Sequence, residues 1–226
     1  LDWARGLDSL RWFNYFSTDE VYGPAAPGVY HLETDPYNAT NPYAATKAGA
    51  EQLCRAYANT YGLPILVTNT MNLFGERQHP EKYIPRVMNA VLDGKTVQVH
   101  ADPTATVPGS RHYLHCRNAA AAIVWLLRWE FGNREGAEHS YWRVNVVGEQ
   151  EVDNLELARR IAAVVGRPLS YELVDFHSSR PGHDLRYALD GAKLASLGFN
   201  YPRGFDESLD KTVRWSLEHP EWLLRN

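Results

Sequence analysis

Tyr43 and Lys47 stand four positions apart, the spacing that sets two side chains on one face of a helix. A phenol ionises near pH ~10 in water, and an ammonium held beside it favours the phenolate. Such a pair can act as a general base toward an alcohol near neutral pH. Tyr-x-x-x-Lys also arises often by chance, so its weight depends on its surroundings. Thr18, Asp19 and Glu20 follow the aromatic run Trp-Phe-Asn-Tyr-Phe-Ser at 12–17, a pattern that predicts a buried strand. Ligands of open parallel sheets bind outside the carboxyl ends of the strands, where such a strand would deliver these three residues. A threonine hydroxyl can hydrogen-bond a substrate oxygen. Two adjacent carboxyls supply one acid and one base when their surroundings separate their pKa values.

The elements that must position these groups are legible along the chain. Four prolines, at 24, 27, 36 and 42, mark 24–42 as loop. Asn41-Pro42 predicts a helix start, with Asn as cap and Pro in the first turn. The helix runs over 43–61 and ends at Gly62 and Pro64. Further strands are predicted at 65–68, 97–100, 144–147 and 171–174. Further helices are predicted at 84–92, 118–129, 155–165, 191–197 and 206–217. A loop rich in Pro, Gly, Thr and Ser occupies 101–110, and another runs to 184. Strands alternating with helices predict an α/β fold with a parallel sheet.

Composition bounds the function. The chain has 226 residues, 44% of them apolar and 22% charged, which excludes disorder as the main state. Lys and Arg number 23 and Asp and Glu 27, a net charge of −4. This balance argues against a nucleic-acid partner, which calls for a basic stripe. No apolar stretch reaches the ~18 residues of a membrane span, and the first residues do not read as a signal peptide. Cys54 and Cys116 form neither a metal motif nor a disulfide framework. Trp125 and Trp129 read as core, and His115 and His139 carry no assigned role. A cytoplasmic enzyme or binding protein fits these features.

The segments Ser17-Thr18-Asp19-Glu20-Val21-Tyr22-Gly23 and Pro42-Tyr43-Ala44-Ala45-Thr46-Lys47 resemble the extended short-chain dehydrogenase/reductases. Within these, they resemble the nucleotide-sugar 4,6-dehydratases, of which dTDP-glucose 4,6-dehydratase is the type. The resemblance continues in 69–75, 79–85 and 180–187, in order. It implies the later part of a Rossmann-like parallel sheet plus a smaller α+β lobe. Residues 1–75 and 112–150 would belong to the NAD-binding domain, and 76–111 and 151–226 to a sugar-nucleotide lobe.

The resemblance also implies roles. Tyr43 would take the proton of the sugar C4 hydroxyl, Lys47 would lower the Tyr43 pKa and hold the nicotinamide ribose, and Thr18 would bond the C4 oxygen. Glu20 would remove the C5 proton, and Asp19 would protonate the departing C6 hydroxyl. Asn69 and Leu73 would join Tyr43 and Lys47 against NAD. Thr18, Asn72, Lys82, Tyr83, Gln98, His100, Arg111, Asn145, Arg180 and His183 would contact the nucleotide-sugar substrate. A homodimer pairing through the Tyr43 helix is implied as well.

Departures from the family pattern set the alternatives. No glycine-rich turn of the kind that brings a helix N-terminus to a dinucleotide pyrophosphate occurs here. Roughly the first 100 residues of the dinucleotide fold are therefore expected to lie outside this sequence. Leu73 replaces a second Asn, Ser179 replaces an acid, and the loop 101–110 is longer than usual; all three lie on the substrate side. An epimerase using only Thr18, Tyr43 and Lys47, and a non-catalytic sugar-nucleotide-binding protein, are the two competing readings.

Overall fold

The computed structural model describes residues 1–132, 140–175 and 185–224. The strands are β1 (Phe13–Thr18), β2 (Ile65–Thr70), β3 (Leu73–Phe74), β4 (Val97–Ala101), β5 (Ser110–His112), β6 (Leu114–His115), β7 (Tyr141–Val146), β8 (Glu151–Asp153) and β9 (Tyr171–Asp175). The helices are α1 (Asp2–Arg5), α2 (Pro42–Tyr61), α3 (Tyr83–Leu92), α4 (Cys116–Gly132), α5 (Asn154–Val165), α6 (Ala192–Ser196) and α7 (Phe205–Glu218). The chain divides into two compact units. One holds Leu1–Met71, Ala119–Val147 and Tyr187–Tyr201; the other holds Asn72–Asn118, Gly148–Arg186 and Pro202–Asn226. The units are nearly equal in length, where a smaller second lobe was expected. The boundaries also differ from the expected ones: 72–75, 112–118 and 148–150 fall in the second unit, and 187–201 in the first. The last shift has a physical cause. His31 bridges Leu189 in parallel pairing, and Leu189 is buried with Val21, Tyr22 and Met71.

The first unit is built on a parallel sheet in the order β1-β2-β7, an α/β arrangement with a Rossmann-like parallel core. Ser17 pairs with Asn69, and Asn69 with Asn145. All six residues of the central strand β2 are buried, as expected for a strand covered on both faces. Strand β7 starts three residues before the predicted strand. Asn41 caps α2, its side chain accepting from the Ala44 N–H, and Gly62 ends the helix in the left-handed conformation. The buried stripe of α2 is Ala44, Ala48, Glu51, Cys54 and Ala58. Small residues let the helix lie close to the sheet, and the one exception is a carboxylate.

In the second unit, α3 buries Ile84, Val87, Met88 and Val91, an amphipathic spacing. They pack with Leu157 and Ile161 of α5 and Leu209 and Val213 of α7. Each such side chain contributes ~1.5–3 kcal/mol by leaving water. Strands β4 and β9 pair in parallel, and β5 and β8 antiparallel. The two-residue strands β3 and β6 are too short to leave a periodic signal in the sequence.

Candidate functional site

Strand β1 ends at Thr18, and the chain turns at once into a 3-10 helix over Asp19–Tyr22. The turn is capped by Thr18, whose Oγ1 accepts from the Glu20 N–H at 3.3 Å and donates to Asp19 Oδ1 at 2.9 Å. Thr18 and Asp19 are buried, while Glu20 is half-buried. Gly23 ends the turn at φ +76, and a Cβ there would meet the Asn38 carbonyl oxygen at 2.4 Å. Only glycine fits this position, which accounts for the Val-Tyr-Gly signature after the acids.

Helix α2 presents Tyr43 and Lys47 one turn apart. Tyr43 is 53% exposed, and its phenol is pushed up by burial, then by the charges of Glu20 and Asp19. The structure therefore brings the tyrosine within electrostatic reach of both acids. The expected lowering of Tyr43 by Lys47 is not what the structure shows. The Lys47 ammonium donates to the Phe16 carbonyl and lies 4.4 Å from the centre of the Tyr15 ring. An ammonium carries three donors, so Phe16 leaves it capacity for a ribose hydroxyl as well. Asn41, predicted only as a helix cap, also donates from Nδ2 to Glu20 Oε2 at 2.8 Å.

A buried polar hub underlies the site, and the sequence reading missed it. Glu51, fully buried, pairs with Arg143 at 2.9 Å. It also accepts from Ser17 Oγ, from Tyr37 at 3.0 Å and from Asn69 Nδ2 at 2.8 Å. The Arg143 guanidinium lies 4.4 Å from the centre of the Tyr22 ring and 4.5 Å from that of Tyr37. The one sequence signal was an acid at the i, i+4, i+8 continuation from Tyr43 and Lys47, in the apolar stripe of α2. Two expectations are corrected here. Asn69 does not present its side chain to a dinucleotide: it is fully buried, donating to Thr18 O at 3.2 Å and to Glu51, and accepting from Arg143 Nε at 3.1 Å. Asn145 does not face a substrate. It is fully buried, donating to the carbonyls of His31 and Asp190 at 2.9 and 3.2 Å and accepting from Tyr22 at 3.1 Å.

The second unit carries the remaining expected contacts. Asn72, just before β3, and Leu73, its first residue, are exposed, and Lys82 is exposed at the start of α3. Tyr83 is half-buried, its hydroxyl donating to the Asn154 carbonyl at 2.6 Å, and its phenol is pushed up, chiefly by burial. Gln98 is exposed on β4 and donates across to Glu172 at 3.1 Å, while His100 is half-buried on the same strand. Arg111 on β5 donates to the carbonyls of Ser110 and Leu185. Arg180 and His183 lie outside the described residues. Glu76, His115 and Cys116 bring ligand atoms within 4.8 Å of one another. Arg117 already pairs with Glu76 at 3.0 Å, so a guanidinium stands where a metal ion would have to be tolerated.

The chain is similar to known proteins over most of its length. A dTDP-glucose 4,6-dehydratase of Neisseria meningitidis serogroup B is 36% identical, over 93% of this chain and 59% of that protein. A trifunctional UDP-glucose 4,6-dehydratase/UDP-4-keto-6-deoxy-D-glucose 3,5-epimerase/UDP-4-keto-L-rhamnose-reductase of Arabidopsis thaliana is 38% identical, over 98% of this chain and 32% of that protein. The dTDP-glucose 4,6-dehydratase DesIV of Streptomyces venezuelae, solved with NAD bound, superposes with a TM-score of 0.78 at 34% identity, over 93% of this chain and 61% of that one. The chain thus spans less than two thirds of the length of these relatives. The family model for NAD dependent epimerases/dehydratases matches residues 1–141, a span that holds the β1 strand end, its 3-10 turn and all of α2. The chain that sets Thr18, Asp19 and Glu20 beside Tyr43 and Lys47 belongs to the NAD dependent epimerase/dehydratase family.

Proposed function

We propose that this chain carries the catalytic residues of an NAD-dependent nucleotide-sugar 4,6-dehydratase, a hydro-lyase acting on dTDP-glucose or a similar nucleotide-hexose. The observation that carries this reading is the position of Tyr43, close enough to Glu20 and Asp19 for both charges to act on its phenol. One base for an alcohol and two carboxyls for an elimination then serve a single sugar ring.

The residues present suit the nicotinamide end of the cofactor. Lys47, with donor capacity beyond Phe16, and Tyr43 would hold it, together with Leu73. When bound, NAD supplies the hydride acceptor for C4 and the hydride returned to C6. Tyr43 removes the C4 hydroxyl proton, and Thr18 holds the C4 oxygen. The ketone at C4 acidifies the C5 hydrogen. Glu20 takes that proton, and Asp19 gives one to the C6 hydroxyl, which leaves as water. Catalysis needs the two acids in opposite protonation states, and their surroundings differ: Asp19 is buried and bonded to Thr18, and Glu20 is half-buried and bonded to Asn41.

Asn72, Lys82, Tyr83, Gln98, His100, Arg111, Arg180 and His183 remain the proposed contacts to the nucleotide sugar. The guanidinium of Arg111 suits a diphosphate. A homodimer pairing through α2 belongs to the same reading and is supported by the exposed Leu53 on that helix. A cytoplasmic setting accords with the two free thiols, Cys54 and Cys116. Among the described residues, no helix is long and apolar enough to cross a membrane.

Mass spectrometry of products from the full-length protein, NAD and dTDP-glucose in deuterated water tests the proposal. Loss of one water with one deuterium gained at C5 supports it. A C4 epimer with no water lost favours the epimerase reading, and no turnover across a panel of dTDP-, UDP- and GDP-hexoses overturns the enzymatic one.

A further inference from the structure

The Asn41 side chain makes two hydrogen bonds in opposite senses. Its Oδ1 accepts from the Ala44 N–H at 2.8 Å and caps α2, and its Nδ2 donates to Glu20 Oε2 at 2.8 Å. The two partners fix the orientation of the amide, since a flip would set its oxygen against a carboxylate and its NH2 against an N–H. Asp, Ser and Thr cap a helix about as well as Asn, so capping alone does not require an amide. Among these capping residues only Asn places an acceptor and a donor on separate atoms: Asp has no donor when ionised, and the hydroxyls of Ser and Thr hold both on one oxygen. Asn41 is itself buried, at 7% exposure, and Glu20 is half-buried, which limits the access of water to the bond.

We propose that Asn41 is a positioning residue that aims the Glu20 carboxylate at the C5 proton. The same amide sets the first turn of the helix carrying Tyr43. It occupies one lone pair of Oε2, and proton removal falls to the carboxylate so held. This role rests on the dehydratase reading of the site.

The test separates the two bonds in the full-length enzyme. Asn41→Ser keeps a capping oxygen and removes the Nδ2 donor to Glu20, leaving its one hydroxyl on the capping atom; Asn41→Ala loses both groups. With dTDP-glucose, single-turnover reduction of NAD reads C4 oxidation, and deuterium incorporation at C5 reads proton removal. Asn41→Ser is expected to leave oxidation within about twofold of wild type and to slow C5 exchange by about tenfold or more, the range of one hydrogen bond to a charged group. Asn41→Ala is expected to slow both. A C5 exchange rate unchanged in Asn41→Ser overturns the proposal, as does equal slowing of both steps, which would mean that the residue acts only through the helix. A substrate-free readout stands beside these. The carboxylate infrared band of Glu20, identified by its loss in Glu20→Gln, is expected to move in Asn41→Ser, and an unmoved band overturns the proposal. If wild-type enzyme neither oxidises C4 nor exchanges C5, the dehydratase reading falls, whereas a shifted band would still record the Asn41–Glu20 bond.

Discussion

Thr18 spends its only hydroxyl proton on Asp19: Oγ1 donates to Oδ1 at 2.9 Å while accepting from the Glu20 N–H at 3.3 Å. With Asp19 ionised, and so able only to accept, Thr18 has no proton left for a sugar oxygen. Asp19→Asn reverses the bond, since an amide can donate to Oγ1 and release the Thr18 proton toward C4. Asp19→Asn is therefore expected to retain C4 oxidation and lose elimination. Thr18→Val is expected to lower oxidation by about 10–100-fold, and Thr18→Ser to keep it within a few-fold. Single-turnover NADH formation checks all three.

Glu20 and Asp19 hold the Tyr43 phenol up, after burial. The sign follows directly. A raised phenol pKa leaves less phenolate at a given pH, so oxidation rises with pH through the phenol's titration. Glu20→Gln removes one of the charges that oppose ionisation. Its oxidation limb is expected to move to lower pH, by roughly one unit or less, while C5 exchange falls by about 100-fold or more with loss of the base. A pH–rate profile of single-turnover oxidation reads the first effect, and deuterium incorporation the second.

Glu51 and Arg143 form a buried ion pair at 2.9 Å. Glu51→Met strands a buried guanidinium and is expected to cost about 3–5 kcal/mol of stability. The double variant Glu51→Met, Arg143→Met is expected to recover much of that loss, because no charge is left unpaired. Urea denaturation of the wild type, Glu51→Met, Arg143→Met and the double variant gives the coupling. A double variant no more stable than the single one would mean that the remaining polar partners, Asn69 and Tyr37, dominate.

His112 in the second unit is buried, and burial holds its imidazole below the ordinary value of 6.5. The fold favours neutral His112, so its contribution is present above about pH 6.5 and declines as pH falls through that value toward the folded pKa, where the unfolded chain binds the extra proton. His115 is shifted the same way, again chiefly by burial. Melting temperature is expected to drop between pH 7 and 5, and His112→Asn to flatten that dependence.

Local chemistry made much of this protein legible. The Asn41-Pro42 start and the Gly62 stop of α2 depend on neighbouring residues alone, and α2 lies where they predict. The aromatic run before Thr18 predicted β1 with its acids at the strand end. The roles expected for Asn69 and Asn145 came from the resemblance, and the strand pattern could not check them. Alternation reveals which way a strand residue faces only when one face meets water. Central strand β2 and residues 143–146 of β7 are buried on both faces, so an asparagine clamping the core reads the same as one facing a ligand.

The sequence by itself determined the candidates proposed for catalysis, the helix spacing of Tyr43 and Lys47 and the alternation of strands with helices, because each is read from short segments of the chain. The tertiary structure alone decided what those groups touch. Asn41 reaches Glu20 across 21 positions, and Arg143 reaches Asn69 across 74. Pairings at that range depend on which backbone atoms the sheet brings to 3 Å, and no periodicity along the chain records them.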